Sequence, residues 1–121
     1  MSGIDVRNHL EMIQSLLDRH NFPQDKFIID PRLERSGLSS EGRIVIREEI
    51  GEEEGLPLSL TDDHRELLLR DHGMRIACLI LHEMYHCRNH FIPISQLSIE
   101  ERMANDIEAD EWALRQIGLI E

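Results

Sequence analysis

The chain predicts an α+β domain, mainly helical, with a small sheet of two or three short strands. Three observations carry that expectation. Apolar residues recur at helical spacing in three long stretches. Two short runs are rich in β-branched residues and bounded by turn formers. Segments rich in Pro, Gly and Ser separate these runs. At 121 residues, the chain is expected to form one domain, residues 1–121, with a single modest core.

Residues 4–20 have apolar side chains at 6, 10, 13, 16 and 17, which predicts a first helix, ended by Asn21-Phe22-Pro23. Residues 26–30, Lys-Phe-Ile-Ile-Asp, predict a short strand stopped by Pro31. Residues 31–41, with Pro, Gly and three serines, read as a loop. Residues 42–47, Gly-Arg-Ile-Val-Ile-Arg, make the better strand, β-branched at its centre. Residues 48–60, with Gly-Glu-Glu-Glu-Gly and a Leu-Pro pair, read as an exposed loop. Ser59-Leu60-Thr61-Asp62-Asp63 is a cap-rich helix start, and a helical pattern then runs to about Asn89, with Gly73 a point of division. Over residues 74–87 the apolar side chains fall on nearly all sides, which marks a buried helix. Ser95 or Ser98 opens a last helix to Gly118, with Glu100 and Glu101 in its first turn.

Composition narrows the function. Hydrophobic content of 40% and charged content of 31% suit a globular protein. The net charge of −11 argues against nucleic acid or an anionic membrane as partner. No apolar run approaches the length of a membrane span, and the N-terminal residues show no apolar signal region, so a cytoplasmic location is expected. Cys78 and Cys87 would sit about 13 Å apart along one helix. A disulfide needs Cα atoms within about 7 Å, so free thiols are expected.

The chemistry concentrates at His82-Glu83-Met84-Tyr85-His86. On a helix, His82 and His86 lie one turn apart on the same face and can ligate one zinc ion. Glu83 beside them can act as general base on a water activated there. Three polar residues breaking an apolar helix together would be costly without such a partner. A peptidase site of this kind needs a third protein ligand and one open position. In one class a third His follows a glycine turn, but here Asn89 and Ile92 hold those positions. His90 shares the face, yet lies about 12 Å from His82 along the axis and reads as a surface or helix-end histidine.

In another class the third ligand is a carboxylate on a downstream helix. The run Asp106-Ile107-Glu108-Ala109-Asp110-Glu111-Trp112-Ala113 resembles the Glu-x-x-Ala-Asp/Asn-x-aromatic-Ala pattern that follows His-Glu-x-x-His in ImmA/IrrE-type peptidases. It matches at Ala109, Asp110, Trp112 and Ala113, and has Asp106 where the family has Glu. The CAAX-prenyl and HtpX membrane peptidases share a similar pattern. The resemblance covers residues 42–116 and implies a minimal zincin-like fold with the motif helix packed on the C-terminal helix. It further implies zinc-dependent hydrolysis of a peptide bond in a narrow protein target, such as a repressor.

Positions 106, 109, 110 and 113 share one helical face, where small Ala109 and Ala113 allow close approach. Asp106 is therefore the preferred third ligand, with Asp110 as hydrogen-bond partner to a ligating His. Glu108, about 200° away in phase, and Glu101, in a second Glu-x-x-Ala-Asn match, are the alternatives. His64, His72 and Tyr85 are candidate oxyanion donors. Residues 44–47, if an edge strand, could hold an extended peptide by strand addition. The competing expectations are a non-catalytic, metal-stabilised binding or regulatory module and a small helical regulator with a chance motif.

Overall fold

A computed structural model describes residues 3–51, 54–57 and 60–121. The fold is α+β and mostly helical. The elements run β1 (Ile4–Asp5), α1 (Leu10–Arg19), β2 (Phe27–Asp30), β3 (Gly37–Ser40), β4 (Arg43–Arg47), β5 (Glu49–Ile50), α2 (Asp62–Arg70), α3 (His72–Asn89) and α4 (Ile99–Gln116). Short 3-10 turns cover Val6–His9, Gln24–Lys26 and Ile94–Gln96. Among the described residues no helix is long and apolar enough to cross a membrane.

Helix α3 is the centre of the molecule. Every residue from 75 to 81 on it is buried, because the sheet, α1, α2 and α4 surround it. Its Ile76, Ile80, Leu81 and Met84 join Ile13 and Leu17 of α1, Ile44 and Ile46 of β4, and Ala113 and Leu114 of α4 in one core. The break between α2 and α3 falls at Asp71, two residues before Gly73. Asp71 is extended, and its side chain accepts from the Met74 N–H to cap α3. Helix α4 starts with a reciprocal capping box between Ser98 and Glu101. Ser59, part of the expected α2 start, lies outside the described residues; Thr61 is the observed N-cap.

Three segments depart from the sequence expectation. Residues 4–5 are not helical: they pair antiparallel with β5, and Asp5 caps the 3-10 turn before α1. Residues 37–40, read as loop, form β3, which pairs antiparallel with β4 through a two-residue turn. Glu41 and Gly42 in that turn have φ of 52° and 76°, the positive values of a type I′ hairpin. The segment after β4 is not simply an exposed loop, since Ile50 is buried and β5 pairs with β1. Buried Arg75 donates to the carbonyls of Glu54 and Gly51, tying this segment to α3. Glu52 and Glu53 of the acidic run lie outside the described residues.

The strand order is β2-β4-β3, with β2 parallel and β3 antiparallel to β4. Residues 44–47 thus lie in the central strand, fully flanked, and cannot accept a peptide by strand addition. The edge strand is β3. Gly37 pairs with Ile46 and Ser39 with Ile44, so these two β3 residues share the inward face of the buried isoleucines. That face meets α3 at Glu83.

Candidate metal centre

Helices α3 and α4 bring His82, His86 and Asp106 to one point. One ligand atom from each lies within 4.8 Å of the other two, the one such His/Cys/Asp/Glu group found among the described residues. His82 Nε2 and His86 Nε2 are 3.1 Å apart. Asp106 Oδ1 is 3.0 Å from His86 Nε2 and 3.6 Å from His82 Nε2. A tetrahedral zinc site with bonds of about 2.0–2.1 Å has ligand–ligand edges of about 3.3 Å. The triangle matches that edge length on all three sides. Two imidazole lone pairs this close also repel unless a proton or a cation lies between them. The residues present therefore fit zinc in number, atom type and spacing.

Local sequence explains the convergence. His82 and His86 are one turn apart on a helix held rigid by its own burial. Ala109 and Ala113 of α4 are fully buried, and small side chains there let α4 lie close to α3. Asp106 and Asp110, on the same α4 face, then meet the two histidines. Asp110 Oδ1 lies 2.7 Å from His82 Nδ1, which holds a proton on Nδ1 and turns Nε2 toward His86 and Asp106.

Charge in the site is balanced by contacts. Burial works against a charged His82 ring, but hydrogen bonds to Asp106 and Asp110 outweigh it, with Glu83 adding to them. The pKa is held up at about 10. Burial and the neighbouring His82 charge push His86 down, keeping it neutral near pH 7. The hydrogen bond from His82 holds Asp106 below the usual carboxylate range. Burial pushes Glu83 up, opposed by His82, Arg35 and a hydrogen bond from Ser39. A raised carboxylate is a stronger base, which suits a group that must take a proton. Glu83 Oε2 is 4.0 Å from His82 Nε2, beside the triangle rather than in it.

A cleft of about 1000 Å³ opens over these residues, walled by β3 on one side and by residues 91–97 and α4 on the other. His82, Glu83, His86, Asp106 and Asp110 all line it.

Other expected residues lie elsewhere. Glu101 is fully exposed and engaged in the capping box, away from the triangle. Glu108 accepts from the Tyr85 hydroxyl at 2.7 Å and lies 3.3 Å from His90 Nε2, so it meets α3 outside the triangle. Tyr85 is thereby committed to Glu108. Neither it, His64 nor His72 lines the cleft, so these candidate oxyanion donors are not in position. His90 is a helix-end histidine, the C-cap of α3, but not a surface one: its side chain is 15% exposed and its Nδ1 is 2.8 Å from His86 Nδ1. Cys78 and Cys87 are free thiols.

Residues that sequence reasoning did not single out include Gly37, Ser39 and Arg35, all on the cleft wall beside Glu83. Their signal was hidden because β3 read as a loop. Comparison with protein-family models, with curated proteins and with solved structures found no match.

Proposed function

We propose that the chain is a zinc-dependent peptidase of minimal zincin-like architecture, similar to the ImmA/IrrE type. The observation that carries this reading is the His82–His86–Asp106 triangle at tetrahedral edge length, with a buried acid, Glu83, beside it. His82 and His86 through Nε2 and Asp106 through Oδ1 would hold the ion. Bound zinc supplies Lewis acidity toward a water and the scissile carbonyl. Glu83 takes a proton from the attacking water and delivers it to the leaving amine. Ser39 and Gly37 fix where that carboxylate sits. The free edge of β3 offers backbone groups to an extended peptide running along the cleft. The substrate class is thus a protein or peptide segment that can enter as a strand.

The test is metal analysis of the purified protein with His82→Ala and Glu83→Gln. One zinc per chain in the wild type, none in His82→Ala, and zinc retained without hydrolysis in Glu83→Gln is the expected pattern. Wild-type protein that takes up no zinc refutes it.

One observation favours a second reading. A charged His82 ring held between Asp106 and Asp110 links α3 to α4 with a proton alone. In that case the pair is a structural clasp in a non-catalytic binding module. Glu83→Gln separates the two, because a binding module keeps its partner and a peptidase loses turnover.

A further inference from the structure

We propose that the apolar strip at residues 91–103 is the target-recognition surface of this protein. Its occupant is an extended polypeptide segment with large apolar side chains interleaved with Lys or Arg. The proposal deepens the peptidase reading above and rests on it for the role of the cleft.

Exposed apolar side chains are gathered in one place. Among the described residues, seven large apolar side chains are exposed, and five of them are Phe91, Ile92, Ile94, Ile99 and Met103. Leu10 and Ile28 are single residues elsewhere, as on any protein surface. Phe91 is 77% and Ile99 73% exposed, too much for residues at the margin of a core. Phe91, Ile92 and Ile94 line the cleft. Ile99 and Met103 sit one turn apart on the same exposed face of α4. Arg102 Nε donates to the Ile94 carbonyl at 3.2 Å, tying the α3–α4 connection to the first turns of α4. The strip thus runs from the cleft wall onto α4.

The surroundings select the occupant. Across the cleft, β3 has β4 on one side and no strand on the other. Its free backbone N–H and C=O groups match an extended chain, whose apolar side chains the strip can cover. Charge fixes the rest. The carboxylates of Glu41, Glu54, Glu83, Asp106 and Asp110 line the cleft, against only the guanidinium groups of Arg35 and Arg102. Glu100 and Glu101 follow Ile99 in the first turn of α4, and both are exposed. This negative excess is complementary to Lys or Arg on the occupant. The net charge of −11 opposes a second copy of this chain, and an anionic membrane, at the same place.

The experiment measures binding apart from hydrolysis, by fluorescence anisotropy on the full chain in chelator and on zinc-titrated Glu83→Gln. The probes are three labelled peptides of about ten residues, the length of a long strand. One alternates Leu and Phe with Lys, one has Glu in place of Lys, and one has Ser in place of Leu and Phe. The first should bind at least about 10-fold more tightly than either of the others. Phe91→Ser with Ile94→Ser, and separately Ile99→Ser with Met103→Ser, should each weaken it about 10-fold with zinc uptake unchanged. Glu41→Lys should weaken the Lys peptide and strengthen the Glu peptide. Circular dichroism checks folding; if the Phe91 pair does not fold, the Ile99 pair and Glu41→Lys decide. No binding, equal binding of the three peptides, or strip variants that bind as the wild type does overturn the proposal. So does wild-type dimerisation, or uptake on zwitterionic vesicles, that the strip variants abolish, because another occupant then covers the strip. Wild type that takes up no zinc sinks the metal reading alone, since binding in chelator still reports on the strip.

Discussion

Asp110→Asn isolates the outer partner of the proposed metal centre without emptying its space. Asp110 is buried, and its Oδ1 sits 2.7 Å from His82 Nδ1. The asparagine oxygen still accepts from Nδ1–H, so the ring stays in register and only the carboxylate charge is lost. Removing such a partner weakens metal binding by about 10–100-fold, equal to about 1.4–2.7 kcal/mol. Asp110 also helps hold the His82 pKa at about 10, so at neutral pH a proton competes with zinc for that ring. The variant relieves part of this competition. Its deficit should therefore be small at pH 7 and approach the full 10–100-fold range as pH nears 10. The assay is chelator competition at pH 7, 8 and 9, with folding checked by circular dichroism. A deficit that shrinks as pH rises, or equal affinity at all three values, refutes the reasoning.

The other predictions follow from single contacts. A Cβ at Gly37 would lie 3.1 Å from Ile46 Cδ1 and 3.3 Å from Glu83 Oε2, so Gly37→Ala shifts Glu83 slightly and Gly37→Val shifts it more. Turnover of a cleaved peptide should fall about 10-fold and up to about 100-fold respectively, with zinc affinity unchanged; equal loss of zinc would disprove this placement. Burial pushes the Cys78 thiol up to about 12 and the Cys87 thiol to about 11, so native protein at pH 8 should resist iodoacetamide at both, and unfolded protein should react at both. In the metal-free protein, the raised pKa of His82 contributes stability that is full below about pH 6.5 and lost as pH rises through about 10. Urea midpoints should fall over that window in the wild type and fall less in His82→Gln; parallel curves would show that His82 carries no such link.

Much of the helical framework was legible because its signals are local. The apolar run on α3, the cap at Ser98 and the 106–109–110–113 face are all written within a few residues, whereas the sequence put the α2–α3 break at Gly73 and missed the cap at Asp71. The sheet was less legible because its pairings are distant. Ile4 joins Ile50 across the chain, and nothing near either residue marks it. Strand β3 is built from Gly, Leu and two serines, with none of the β-branched apolar or aromatic residues that mark a strand, and is held by β4 on one side and α3 on the other. Missing β3 hid Ser39 and Gly37, and with them the surroundings of Glu83. Helical phase put Asp106 ahead of Glu108, and the structure places Asp106 by the two histidines and Glu108 beside Tyr85. Reach along a continuous helix axis underestimated His90, since α3 ends at Asn89 and the His90 ring turns back to His86.

The central claim is that His82, His86 and Asp106 hold one zinc ion. An anomalous difference map at the zinc edge, from crystals of zinc-titrated protein, addresses it directly. The account predicts one peak at about 2.0–2.2 Å from His82 Nε2, His86 Nε2 and an Asp106 carboxylate oxygen. A map with no peak inside that triangle, or with zinc held by Glu108 or Glu101 in place of Asp106, would contradict it.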